Sequence, residues 1–389
     1  MTAMSNGNAY DVIVVGLGAM GSATAYQLAK RGARVLGLEA FTPAHELGSS
    51  GGLTRIIRLA YFEHPSYVPL LKAAWSLWPE IEAEANERLL EPTGGIYIGA
   101  RGSDVLEGSM LSARTHGLDH ELLDAAESRR RFPALTIDDE MRTLYEPLAG
   151  ILFAQRCISA HLNLAERHGA ELHFEERVSG WTLPSGESNG VTVTTDRGTY
   201  TANKLVVSVG AWLPKLVPEL RLPLIVERNP LFWFEPVARP EIFAADRLPV
   251  WIMELDADRA FYGFSALPGQ GVKVARHHGG GPVDPDAIDR VANDGDEAEV
   301  RGFIRRFMPL ADGPCLDSRV CMYTNTPDFN FIVGLDPRDP RVVLASPCSG
   351  HGFKFSNVIG VICADLALRG STAFDIDFLA PERFSAASV

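Results

Sequence analysis

The sequence predicts a mixed α/β (α+β) fold in which a Rossmann-like dinucleotide-binding domain is interleaved with an antiparallel-sheet domain. Three observations predict it. Residues Asp11 to Glu39 run strand, glycine cluster, helix, strand and acid without interruption; Leu224 to Val274 changes to the alternation of antiparallel strands; and no internal repeat or low-complexity tract strings separate units in series. At 389 residues, 46% of them hydrophobic and 22% charged, the chain can bury a large core.

The opening strand, Asp11-Val-Ile-Val-Val15, is followed by Gly16-Leu-Gly18-Ala-Met-Gly21. In such a run the first glycine makes the tight turn, the second lets backbone N–H groups approach a pyrophosphate, and the third packs the helix on the strand. The helix expected over Ala19 to Arg31 aims its positive end at the phosphates. Glu39, about 18 residues beyond Gly21, ends the second strand, where a carboxylate accepts hydrogen bonds from a ribose 2′-OH and repels a 2′-phosphate. The cradle therefore favours FAD or NAD over NADP.

Further along, Gly48-Ser-Ser-Gly-Gly-Leu-Thr-Arg-Ile-Ile-Arg58 precedes an amphipathic helix expected from Ser66 to Leu90. A strand is expected at Gly94 to Ile98; a helix over Glu121 to Phe132 leads to Gly150-Ile-Leu-Phe153, and Ser159 to His168 reads as another helix. Strands follow at Glu171 to Glu175, Gly190 to Thr195 and Lys204 to Val209, the last turning at Gly210-Ala-Trp212. Gly279 to Asp296 is a polar, glycine-rich surface loop before an acidic helix, Glu297 to Phe307. A strand at Phe331 to Gly334 and a final helix opened by Cys348-Ser-Gly-His-Gly-Phe-Lys354 close the chain.

A net charge of −13 argues against nucleic-acid and anionic-membrane partners, so any substrate anion must be caught by specific residues. Met1 to Tyr10 has neither a basic segment nor an apolar run of signal-peptide length, and no later segment is long enough to span a bilayer. The expectation is a cytoplasmic protein. Cys157, Cys315, Cys321, Cys348 and Cys363 contain no CxxC pair or zinc-like histidine spacing, so neither disulfides nor a metal site is expected.

Taken together, the glycine cradle, Thr54-Arg55-Ile-Ile-Arg58, Tyr262-Gly-Phe264, Gly271-Val-Lys273, Cys321-Met-Tyr-Thr324 and Ser349-Gly-His-Gly-Phe-Lys354 closely resemble the monomeric sarcosine oxidase and N-methyltryptophan oxidase family of flavin amine oxidases, from about residue 10 to residue 370. The resemblance implies a D-amino-acid-oxidase-like fold. It implies FAD held by Gly16, Gly18, Gly21, Glu39, Thr54, Gly350, Gly352 and Phe353, and joined covalently through the sulfur of Cys321. Backbone N–H groups of the Gly350–Lys354 segment would face the flavin edge where reduction deposits negative charge.

By the same resemblance, Arg58 and Lys354 grip the substrate carboxylate, one forked cation and one point cation on a single anion. Lys273 meets oxygen near the flavin, Arg55 lies by the flavin ring, and Tyr262, His277, Tyr323 and His351 line the pocket above it. Read as bare sequence, Arg58 pairs with a nearby acid, Lys354 is a solvated helix residue, Lys273 is an exposed strand lysine, and the histidines and tyrosines are structural.

The activity this implies is FAD-dependent oxidation of a small N-methyl or secondary amino acid, with hydride transfer from the carbon beside nitrogen, reduction of O2 to hydrogen peroxide, and hydrolysis of the imine. The same motifs serve oxidases of fructosyl amino acids and of cyclic imino acids such as pipecolate, and related dehydrogenases. A non-catalytic flavin-binding subunit is the reading from another class. The FAD-binding domain is expected over residues 1–90, 145–222 and 320–389 and the substrate domain over 91–144 and 223–319, in a monomer or weak oligomer.

Overall fold

A computed structural model describes residues 9–183, 190–346 and 349–387; residues 1–8 of the leading segment and Cys348 lie outside them. Among the described residues the strands form two eight-stranded sheets and a three-stranded one.

The first sheet centres on Tyr10–Val15, which pairs in parallel with Val35–Leu38 on one side and Thr199–Val207 on the other. Its residues are buried on both faces, as a parallel strand covered on both sides requires. Val12 and Val14 face helices Ala19–Lys30, Ala154–Arg167 and Ser356–Arg369, while Ile13 and Val15 pack with Leu36, Leu205 and Val342 on the other side. Close helix packing explains a glycine in the last helix: a Cβ on Gly360 would stand 2.7 Å from the backbone of Ala23.

The second sheet runs from Cys315–Asn325 through Ile225–Phe234, Gly271–His277, Arg259–Leu267 and Val250–Asp256 to Gly95–Ala100, Met141–Glu146 and Glu121–Leu123. Every join is antiparallel except that of Val250–Asp256 with Gly95–Ala100. Residue 320 falls inside the strand Cys315–Asn325, which pairs along Ile225–Phe234. The small sheet joins Thr54–Ile57 and Leu90–Pro92 to Gly150–Phe153.

Several element ends differ from expectation, each for a local reason. The helix expected to reach Leu90 is Val68–Ala85, because Asn86 takes a left-handed conformation (φ 54°) and Leu90–Pro92 becomes a strand. Asp124 accepts a hydrogen bond from the Glu127 amide, so Glu121–Leu123 is a strand and the helix is only Ala125–Arg131. The helix expected from Ser159 begins at Ala154. A reciprocal cap between Asn293 and Asp296 starts the acidic helix at Asp294, shortening the expected loop. No helix of the described residues is long and apolar enough to cross a membrane.

Candidate active site

The glycine cradle has the shape its sequence requires. Gly16 has φ +85°, and a Cβ there would lie 2.7 Å from the Ser208 carbonyl oxygen. A Cβ on Gly21 would collide with the Gly16 carbonyl, whereas one on Gly18 would meet no protein atom, leaving that side open to a ligand. Glu39 accepts from the amides of Leu17 (2.7 Å) and Phe41 (3.1 Å) and still borders the cavity, with carboxylate capacity left for a diol.

Two cavities follow one another from this point. One, of ≈ 300 Å³, is bordered by Gly16, Gly18, Glu39, Ser208 and Trp212; the other, of ≈ 110 Å³, by Arg55, Arg58, Tyr262, Cys321, Tyr323 and Lys354. Ala19, Met20, Ser49 and Ser50 border both, and the buried Ser49 hydroxyl has no partner among the described residues. An elongated dinucleotide with its reactive ring at Cys321 fits this arrangement.

At the inner end, Arg55 donates to the carbonyls of Thr54 (2.8 Å), Ser49 (2.9 Å) and Gly51 (2.5 Å) and to Cys321 Sγ (3.5 Å). Its guanidinium also faces the Phe353 ring at 5.8 Å. Lys273, only 2% exposed, donates to Gly52 O (2.7 Å), Thr54 O (3.1 Å) and Thr54 Oγ1 (3.3 Å) and lies over the rings of Phe264 and Trp233. Burial and the neighbouring Arg55 pull its pKa well below the usual lysine value, while three acceptors and two aromatic faces supply what an ammonium needs.

Arg58 and Lys354 meet over one ring, with the guanidinium 4.1 Å and the ammonium 5.2 Å from the centre of Tyr61. Arg58 is buried, and it has taken an acid: both carboxylate oxygens of Glu63 accept from its Nη2 at 2.6 Å. A guanidinium without water requires such a partner, and Arg58, with Lys354, holds the Glu63 carboxyl below its ordinary pKa against the opposing cost of burial. Lys354 donates to His351 O at 2.8 Å, and burial followed by the charge of Arg58 lowers its pKa to about 7.

The remaining residues wall the same space. His277 packs edge-on against Tyr262 (6.0 Å), Tyr323 (5.8 Å) and Phe62 (6.4 Å), and burial drives its pKa well below the histidine value. Tyr323 donates to the Tyr262 hydroxyl at 3.5 Å. Both nitrogens of His351 are engaged: Tyr61 Oη lies 2.5 Å from Nδ1 and Phe329 O 3.0 Å from Nε2. The carbonyl can only accept, so Nε2 carries the proton and Nδ1 accepts from Tyr61. Burial lowers the His351 pKa to about 3, and the ring is neutral.

Gly350 has φ +76°, and a Cβ there would stand 2.6 Å from the Tyr323 ring; Gly352 caps the single 3-10 turn Phe353–Phe355 that leads into the last helix. All the expected site residues thus border the two cavities or touch residues that do.

Sequence reasoning missed Tyr61, Phe62 and Glu63, although two aromatics and an acid three to five residues after Arg58 were a signal. It also missed Ser208, whose hydroxyl donates to Gly16 O (2.8 Å), and Glu146, which comes from another sheet. Among the described residues no cluster of three or more His, Cys, Asp or Glu could hold a metal.

Residues 11–366 match the DAO family, described as FAD dependent oxidoreductase. The chain is 43% identical to monomeric sarcosine oxidase of Streptomyces avermitilis, covering 97% of this chain and 98% of that protein. It is 34% identical to N-methyl-L-tryptophan oxidase of Yersinia pestis, covering 96% and 99%. Among solved structures, NikD, an unusual amino acid oxidase essential for nikkomycin biosynthesis, superposes with TM-score 0.83 at 30% identity over 96% of this chain and 97% of that one.

Proposed function

Because the chain belongs to the family of FAD dependent oxidoreductases that includes monomeric sarcosine oxidase and N-methyl-L-tryptophan oxidase, we propose that it oxidises small N-methyl or secondary amino acids of sarcosine-like size. When bound, FAD would accept a hydride from the carbon beside the nitrogen and pass the electrons to O2, giving hydrogen peroxide and an imine that water hydrolyses.

The observation that carries this reading is the meeting of Arg58 and Lys354 over Tyr61 in the cavity that Cys321 also borders. Two buried cations beside one ring offer donors for one carboxylate. Glu63 already takes the Arg58 Nη2, so a substrate carboxylate would have to share or displace that carboxylate and would lean on Lys354 for its second contact.

His277, Tyr262, Tyr323 and Phe62 wall the space beside Arg58, and exclusion of water together with that positive charge favours the uncharged amine from which hydride can leave. His351 holds the Tyr61 hydroxyl and moves no proton in this scheme, since both of its nitrogens are committed.

Cys321 is the residue we assign to a covalent link with the flavin, with the Arg55 cation 3.5 Å from its sulfur. Lys273 is assigned to oxygen: held as an ammonium by its acceptors against the downward pull of burial on its pKa, it would favour electron transfer to a molecule that becomes an anion. Cofactor contacts would come from the segments at 1–90, 145–222 and 320–389 and substrate contacts from 91–144 and 223–319, with Arg58 and Lys354 crossing between the two sets. A cytoplasmic location and a monomer or weak oligomer go with the reading; cell fractionation tests the first and gel filtration the second.

The experiment is a panel of N-methylglycine, longer N-methyl amino acids, pipecolate and a fructosyl amino acid, scored by peroxide release from purified yellow protein. Highest turnover with N-methylglycine is expected. Preference for pipecolate or the fructosyl compound would move the substrate class, and reduction of the flavin without peroxide would make the protein a dehydrogenase.

A further inference from the structure

Glu146, a carboxyl group 1% exposed at the end of the strand Met141–Glu146, takes no part in the proposed chemistry. Its donors are the amides of Leu59 (3.1 and 3.2 Å) and Ala60 (2.9 Å) and the hydroxyl of Tyr97, itself fully buried. Those two amides belong to the residues directly after Arg58, where the chain has left the strand Thr54–Ile57 and no sheet partner remains for them. The carbonyl of Ala60 in turn accepts from Arg58 Nη1 at 3.0 Å. A path therefore runs from Glu146 to the Ala60 amide, through the Ala60 backbone to its carbonyl, and from that carbonyl to the guanidinium.

Both Tyr97 and Glu146 stand on the second sheet, in strands that pair with each other, while Arg58 extends from the small sheet. The Tyr97 ring also lies 5.6 Å from the Arg58 guanidinium. An apolar residue at position 146 would leave two buried amides without acceptors, so the carboxyl group answers a need created by the path of residues 58–60.

We propose that Glu146, oriented by Tyr97, is a positioning residue that fixes the Arg58 guanidinium for the substrate carboxylate. This rests on the reading of Arg58 as the carboxylate receptor. Glu146 itself touches neither substrate nor flavin in this scheme; it holds the Leu59 and Ala60 amides, and Arg58 is braced on the carbonyl of the same Ala60. Because acceptance of the two amide protons is what matters, an amide oxygen serves in place of the carboxylate.

The test uses the flavin-loaded enzyme and measures the apparent Kd for N-methylglycine and the limiting rate of flavin reduction in wild type, E146A, E146Q, Y97F and R58Q. E146A is expected to weaken substrate binding about tenfold, the scale of one lost buried hydrogen bond, while the limiting rate changes less than about threefold. E146Q is expected to bind within about threefold of wild type, since its amide oxygen still accepts from Leu59 and Ala60.

Equal losses in Kd and limiting rate, or E146A binding as well as wild type, would overturn the proposal. Where E146A does not fold, hydrogen exchange at the Leu59 and Ala60 amides decides: faster exchange together with a higher Kd in Y97F supports it, and no change in either overturns it. R58Q separates the two claims. If R58Q binds substrate normally, the receptor reading itself has failed; if R58Q binds poorly and E146A does not, only the positioning role has failed.

Discussion

Lys354 gives the account its most quantitative prediction. Its ammonium is one of the two cations assigned to the substrate carboxylate, and burial with the Arg58 charge lowers its pKa to about 7. For a lysine lowered in this way the charged form exists below that pH and is lost above it. With a pKa of about 7, about nine-tenths of the molecules carry the charge at pH 6 and about one-tenth at pH 8. A carboxylate that needs the charged form should therefore bind about tenfold more weakly at pH 8 than at pH 6.

Acetate is the suitable probe, since it stays ionised across that range and has no amine to titrate. Its binding is read as competitive inhibition of N-methylglycine oxidation or as a perturbation of the flavin absorbance. In Lys354→Met the slope between pH 6 and pH 8 should vanish, and binding at pH 6 should fall about 10- to 100-fold, the worth of one charge-assisted hydrogen bond.

The neighbours narrow the interpretation. His351 and His277 are held neutral by burial, and Arg58 keeps the Glu63 carboxyl ionised, so none of these titrates in the window. Glu146 is the exception, because burial raises its pKa to about 7 and its negative charge would also weaken an anion at Arg58. A slope that survives in K354M and disappears in E146Q would move the titration to Glu146 and refute the reasoning about Lys354. A wild-type enzyme with no slope would refute it outright.

Other substitutions test separate parts of the site. Cys321→Ala should leave an enzyme that binds flavin but releases it on acid precipitation, whereas wild type should keep its yellow colour in the pellet. Lys273→Met should slow reoxidation of the reduced flavin about a hundredfold in stopped-flow with O2 while anaerobic reduction by substrate changes little. Gly21→Ala, whose new methyl group would meet the Gly16 carbonyl, should cost about 1–3 kcal/mol or more in stability and lower flavin content, as thermal unfolding and the absorbance ratio would report.

How much of this was legible in the sequence depended on the distance over which each piece of physics acts. The cradle was readable because strand, turn, helix and acid are all local choices, and Gly16, Gly18, Gly21 and Glu39 take the geometry their spacing requires. Helix ends were harder, because Asn86 and Asp124 decide them by single-residue backbone and capping effects inside otherwise helical patterns. The site's cations were findable as motifs, but their partners were not. That Arg58 pairs with Glu63 follows from burial, which periodicity does not report, and Glu146 reaches the same loop from 87 residues away through a pairing of sheets.

The most direct test of the central claim is anaerobic mixing of the purified protein with N-methylglycine while the flavin absorbance is followed, beside an N-methyl amine of similar size that has no carboxyl group. The account predicts that the amino acid bleaches the flavin and that the amine does so far more slowly. Equal bleaching by both, or none by any N-alkyl amino acid, would contradict it.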